Sequence, residues 1–167
     1  MLNFTSWKLW CFCFYPSKMN LKETLFKQCV LFVNKRLQTI EEVLSSNQKA
    51  LQAETKSSAG DKHEIGRAML QLEMEKASQQ LKGVHEMKIT LTKIDFCKQH
   101  KTAHLGSIIE TNQGNYFLSI SAGKLTTYDK NYFAVSIFSP IGKRLLGKKT
   151  GEQFTFNGST TKIIAIA

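Results

Sequence analysis

Thr55–Arg67 reads TKSSAGDKHEIGR, and its reading decides the fold. Small polar residues and glycine interrupt a helix, while Ser or Asp at a new helix start accepts bonds from backbone N–H groups that would otherwise go unpaired. The stretch therefore reads as the tip of a helical hairpin. Two carboxylates, Asp61 and Glu64, stand near the start of the returning helix. Three residues apart, they share a helix face and can reach one ligand. The same pair fits a capping box, with Asp61 as N-cap and Glu64 reaching back, next to the positive end of the helix dipole. Cap and ligand are both open readings of these two residues.

Working outward, Asn20 to about Thr55 contains neither Pro nor Gly. Phe26, Val30, Val33, Leu37, Ile40, Leu44, Asn47 and Leu51 recur in alternating steps of four and three, a heptad seam. Asn47 is its single polar member, and one polar seam residue fixes register at a cost in stability. The returning segment, about Asp61 to Ile94, has a matching seam in Leu70, Met74, Ala77, Leu81 and Val84. Ile65, Met69 and Leu72 are expected to widen it toward the tip, with the methionines as core filling. Two seams joined by a short polar turn predict an antiparallel coiled coil over 19–96, with its tip near 56–64. Gly83 and the Thr90/Thr92 region weaken the second helix, which is expected to end between Lys82 and Phe96.

Cys97–His104 (CKQHKTAH) is polar and basic and reads as a linker. Beyond His104 lie seven of the ten glycines, and helical periodicity gives way to β-rich runs. Leu105–Thr111, Tyr116–Ile120, Phe133–Phe138, Gln153–Phe156 and Thr160–Ile166 are predicted strands, with Lys124–Tyr128 a weaker one. NQGN at 112–115 and NGS at 157–159 supply hairpin turns. Pro140–Gly147 predicts one short helix, with Pro in its first turn and Gly past its end. The fold class is α+β: a helical hairpin, then over 105–167 a small antiparallel sheet with a helix on one face.

The 167 residues carry 23 Lys and Arg against 13 Asp and Glu, a net charge of +10. That excess suits an acidic partner, nucleic acid or a protein that handles it, although a solvated basic surface is equally compatible. Four cysteines, Cys11, Cys13, Cys29 and Cys97, lack zinc spacing and do not make a paired framework, which points to a reducing compartment. Met1–Lys18 differs from the rest, with both tryptophans, three phenylalanines and two cysteines. Lys8 interrupts its apolar run, no small-residue cleavage site follows, and it is too short to span a bilayer. It is either an apolar arm or a segment preceding a true start at Met19.

Ser139–Glu152, SPIGKRLLGKKTGE, resembles the C-terminal signature of the Gre family of bacterial transcript-cleavage elongation factors. Gly60-Asp61-x-x-Glu64 resembles that family's Gly-Asp-x-x-Glu tip, and the spacing from Met19 to tip and from tip to signature is similar. The resemblance spans about Met19 to Ala167. It departs after Glu64, where Ile65-Gly66-Arg67-Ala68 replaces the family's usual Asn-Ala-Glu-Tyr, so that one acidic and one aromatic residue are missing and Arg67 adds positive charge.

The resemblance implies a coiled coil followed by a domain of FK506-binding-protein-like fold. It implies a cytoplasmic, monomeric factor that binds RNA polymerase and makes no membrane contact. Docking would fall to Ser139, Pro140, Ile141, Gly142, Lys143, Arg144, Gly147 and Lys148, with Leu145 and Leu146 supporting the local fold. The coiled coil would enter the polymerase's secondary channel. There Asp61 and Glu64 would help hold a Mg²⁺ shared with the polymerase, and Lys56, Lys62 and Arg67 would lie near the nascent RNA 3′ end. Such a factor stimulates the polymerase's own cleavage of backtracked RNA and is not itself an enzyme. Alternatives are a channel-binding regulator without cleavage stimulation, an isomerase or chaperone built on the C-terminal fold, and a coiled-coil adaptor whose tip carboxylates are caps.

Overall fold

The computed structural model describes residues 16–54, 61–96, 101–127 and 130–167, with the backbone alone at 16–20, 54 and 61–63. Two long helices come first, α1 (Pro16–Glu54) and α2 (Asp61–Thr92). After them come β1 (Ile108–Thr111), β2 (Asn115–Ser119), β3 (Gly123–Thr127), β4 (Lys130–Ser136), α3 (Pro140–Leu145), β5 (Gln153–Phe156) and β6 (Ser159–Ile166). The predicted α+β class is the observed one. α1 begins at Pro16, a residue whose fixed φ and missing N–H suit a first turn, so helix already covers the last residues of the segment set apart by composition. No helix among the described residues is long and apolar enough to cross a membrane.

The chain divides into two compact units, one of them Leu31–Ile89. In this unit the heptad seam is the buried stripe. Val33, Ile40, Ala77 and Val84 are buried, and Leu37, Leu44, Leu51, Leu70, Met74 and Leu81 half-buried. Asn47 is buried among them, and its Nδ2 donates to Glu73 Oε2 across the helix pair at 3.1 Å. The polar seam residue thus has a specific partner, which is how one polar position selects a register. Gly83 does not break α2. It sits mid-helix, and a Cβ built there meets no atom within 4 Å.

Ile65, Met69 and Leu72 depart from expectation: they are 59%, 63% and 50% exposed. At ~100° per residue they lie roughly 100–160° round the helix from Leu70, on a different face. The spacing 65–69–72 is helical but belongs to a stripe of its own.

The second unit joins the chain up to Val30 with Thr90–Ala167. The sheet order is β3-β4-β2-β1-β6-β5. Pairing is antiparallel except between β2 and β4, which run parallel with Phe117 beside Ala134. β5 and β6 are joined by Asn157-Gly158, both at positive φ (50° and 78°), as a two-residue type I′ hairpin requires. At the β1–β2 turn, Thr111 Oγ1 donates to Gly114 O at 2.7 Å and accepts from Gly114 N at 3.1 Å.

One sheet face carries Ile109, Leu118, Phe154 and Ile163, which form a core with Leu145 of α3 and Ala103. Ala103 lies within the stretch read as a linker, yet it is buried and its N–H donates to Lys148 O at 2.8 Å. Residues 97–100 lie outside the described residues. The opposite face, with Ile108, Phe117, Tyr132 and Ala134 buried, meets the early part of α1. There Gln28 Nε2 donates to Thr126 O and Thr127 Oγ1, each at 3.0 Å, and Cys29 Sγ lies 3.6 Å from Ser119 Oγ. Phe26 and Phe96 stack edge-to-face with centroids 5.0 Å apart, a favoured aromatic geometry. Lys22 is buried at the start of α1. Burial pulls its ammonium pKa down, partly offset by the charge of Asp95.

Candidate functional site

Two regions carry the candidate residues. In the first, α2 starts at Asp61, which puts Asp61 and Glu64 within its first turn. Glu64 is exposed and Arg67, almost one turn on, is half-buried. The side chains of Asp61 and Lys62, and all of Lys56, lie outside the described residues, as does any capping bond at this terminus. Carboxylate oxygens are the hard donors that Mg²⁺ prefers, so Asp61 and Glu64 are residues of the right type. Among the described residues no group of three or more His, Cys, Asp or Glu is placed to hold a metal ion. Ile65, next to Glu64, is exposed, and Met69 lies one turn beyond Ile65 on the same face, so an apolar stripe starts beside the acidic residue.

The second region is the SPIGKRLLGK stretch, where most of the sequence pattern has a local structural cause. Ser139 caps α3: its Oγ donates to Ser136 O at 2.6 Å and accepts from Gly142 N at 3.1 Å. Pro140 occupies the first turn. Gly142 is buried where a Cβ would stand 2.0 Å from Ser136 O, so no larger residue fits without movement. Leu145 is completely buried in the core. Gly147 has φ of 78° and donates its N–H to Ala103 O at 2.7 Å, a helix-terminating conformation that glycine adopts without strain.

Lys143 and Arg144 are exposed, and Ile141 is half-buried. Leu146, expected to support the local fold beside Leu145, is instead 45% exposed. It is the C-cap residue with ψ of 130°, so the helix has ended and its side chain no longer follows Leu145 inward. Phe138, just ahead of the cap, is 72% exposed and was not singled out by sequence reasoning. Nor was Glu152, which pairs with Lys148 at 2.9 Å and accepts from Lys149 N at 3.3 Å. The hydrogen bond from Lys148 is the main cause holding the Glu152 carboxyl below its usual range. The i,i+4 spacing of Lys148 and Glu152 was the signal available. The free cationic character of this edge therefore rests on Lys143 and Arg144 more than on Lys148.

No protein-family model and no curated protein matches this chain. Among solved structures, one of the transcription factor Gfh1 aligns over 80% of this chain and 90% of its own at 19% identity. Its TM-score is 0.32, a superposition too loose to carry fold or function from one chain to the other.

Proposed function

We propose that the chain is a Gre-like transcription factor that binds RNA polymerase and presents its hairpin tip to the polymerase active site, stimulating cleavage of backtracked RNA. The observation that carries the reading is the hairpin itself. Helices of 39 and 32 residues are separated by six residues of sequence, and the two motif carboxylates fall in the first turn of the second helix. A helix of that length extends roughly 58 Å at ~1.5 Å per residue. A rigid rod holds a group at a distance without the orientational loss a flexible loop would incur.

In this reading Lys143 and Arg144, with the exposed rim of the α3 edge, contact the polymerase. Asp61 and Glu64 supply part of a ligand set that the polymerase completes. Bound there, Mg²⁺ would supply Lewis-acid charge for the attacking and leaving oxygens. The chain's own carboxylates orient the ion's water shell and add negative charge, while Lys56, Lys62 and Arg67 face the RNA backbone.

The test compares RNA cleavage in stalled polymerase complexes with the wild-type chain and with Asp61→Asn and Glu64→Gln. Asn caps as well as Asp, so stability should change by no more than about 0.5–1 kcal/mol. Stimulated cleavage should fall about a hundred-fold or more, as loss of several kcal/mol of charge stabilisation implies. Polymerase binding should persist, and several Mg²⁺ concentrations are needed because excess metal masks a weakened site. A second reading, a channel-binding regulator without cleavage stimulation, is favoured by the exposed apolar stripe of Ile65 and Met69 near the start of α2 and by Arg67. Wild-type protein that binds polymerase yet never stimulates cleavage at any Mg²⁺ level selects that reading.

A further inference from the structure

The α3 face of the sheet is only partly covered. Toward the β3 edge, Lys124, Phe133 and Tyr116 stand side by side across three strands, Lys124 opposite Phe133 and Phe133 beside Tyr116. Phe133 is 42% exposed and Tyr116 half-buried. Their ring centroids are 6.2 Å apart with planes inclined by 38°, so the two rings form a shallow aromatic floor. Gly114 flanks it with no side chain. A Cβ there would sit 3.9 Å from the Phe133 ring edge, so a larger residue would cover ring surface that glycine leaves open. In the next row Thr126 lies opposite Asn131, with Thr126 Oγ1 donating to Asn131 Oδ1 at 3.2 Å.

The charge here has one sign. Lys124 is exposed on this face, Lys130 pairs with Thr127 on the other, and strands β2, β3 and β4 contain no Asp or Glu. The nearest acid in sequence, Asp129, lies outside the described residues. An exposed aromatic ring on a sheet, bordered by a lysine and by amide and hydroxyl groups, has the chemistry of a stacking platform. The ring takes a base, Lys124 takes a phosphate, and the polar groups reach base edges. A shallow floor of two rings on an open sheet face is a poor core for a protein interface, where anchors sit in desolvated pockets.

We infer that this sheet face binds single-stranded nucleic acid, with one base stacked on Phe133 and the adjoining phosphates held by Lys124. The inference concerns residues apart from the hairpin tip and the α3 edge, and its test uses no polymerase. The two readings therefore fail separately.

The experiment is fluorescence anisotropy of the full chain with a labelled oligouridine of about 12 nucleotides, over salt from about 50 to 200 mM. Phe133→Ala should weaken binding about ten-fold or more at every salt concentration while leaving the salt slope unchanged, because stacking releases no counterion. Phe133→Tyr should bind like wild type. Lys124→Ala should weaken binding and reduce the slope of log affinity against log salt by about 0.7. Leu31→Ala, which removes an exposed apolar side chain on α1 (67% exposed), should have no effect. The same ranking is expected with oligothymidine, since a stacked pyrimidine needs no 2′-hydroxyl. Phe133→Ala binding as tightly as wild type across the salt series would overturn the proposal, leaving the affinity to net charge and the ring to a protein contact. An equal loss in Leu31→Ala would overturn it too.

Discussion

Replacing Gly142 by Ala puts a methyl 2.0 Å from Ser136 O, 2.9 Å from Ser136 C and 3.0 Å from Ser139 Oγ. The first distance is roughly 1.5 Å short of ordinary contact, and the opposing atoms are mostly backbone, which cannot rotate aside. Relief requires the start of α3 to lift from β4. That movement breaks the 2.6 Å bond from Ser139 to Ser136 O and the 3.1 Å cap on Gly142 N. Loss of the cap costs about 0.5–2 kcal/mol and the overpacking about 1–3 kcal/mol. Alanine's better helix propensity returns up to about 1 kcal/mol. The net is a destabilisation of about 2–3 kcal/mol, a large share of the ~5–15 kcal/mol typical of a domain. Amide exchange is the suitable assay, because it reports on the affected unit alone. The Leu118 and Ile163 N–H groups, bonded to Ser107 O and Glu152 O, should exchange about 30- to 150-fold faster. Gly83→Ala is the internal contrast. In mid-helix with nothing within 4 Å of the new methyl, it should stabilise the helical pair by up to about 1 kcal/mol in a thermal melt. Exchange rates within two-fold of wild type for Gly142→Ala, by about the 0.4 kcal/mol that factor represents, would refute the packing argument.

Charge reversal at Lys143 and Arg144 together should weaken polymerase binding about ten-fold or more at low salt, with the difference shrinking as salt rises. Unaltered affinity in a pull-down titration would move the docking surface elsewhere. Asn47→Leu should raise the melting temperature of the helical pair by the equivalent of about 1 kcal/mol, since burial of Leu outweighs one partly solvated bond to Glu73. A net loss of stability on melting would show that bond to be worth more than an apolar seam contact. Burial pushes the Cys29 thiol above its ordinary value of 9.0, with the Ser119 contact acting weakly in the other direction. A raised thiol pKa stabilises the fold at pH below the ordinary value, and that contribution is lost as pH climbs through the raised one. Peptide-resolved alkylation at pH 8 should therefore leave Cys29 unmodified until the fold opens, and labelling at the rate of an exposed thiol would contradict its burial.

The helical hairpin was legible because its signal is local and repeated. From Val33 to Val84 spacing alone names each buried or half-buried seam residue, and it marks Asn47 as the register-setting position whose partner is Glu73. The Asn157-Gly158 turn was legible for a similar reason, as two residues that tolerate positive φ between alternating strands leave few alternatives. The parallel β2–β4 pair had no such signal. It joins segments separated by β3, and local pattern does not specify which non-neighbouring strand is adjacent. The same limit explains Ala103: its burial depends on backbone bonds to Gly147 and Lys148, more than forty positions away, as the pairing of Ala103 with those residues shows.

The candidate site divides along the same line, and it shows why motif residues and contact residues should be kept apart. Ser139, Pro140, Gly142, Leu145 and Gly147 form a pattern readable in sequence because backbone geometry, or for Leu145 core burial, demands each one. Those demands would exist in the absence of any partner. A residue that touches a partner is under no such geometric constraint from its own chain, and the side chains left facing solvent are the ones pattern reading misjudged or passed over. Leu146 was assigned inward by adjacency to Leu145, yet the helix ends between them. Phe133 shares the alternating row of Val135 and Ile137, which marks it for the core, yet it is exposed, and Phe138 lies past the end of β4. Ile65, Met69 and Leu72 have a helical period, but on a face the partner helix does not reach. The docking reading therefore rests on Lys143 and Arg144, whose charged ends are exposed, and the shape of the motif adds nothing to it. If double charge reversal left polymerase affinity intact while Gly142→Ala abolished it, the motif would be acting through the integrity of α3 alone, with the contacts made by its apolar neighbours.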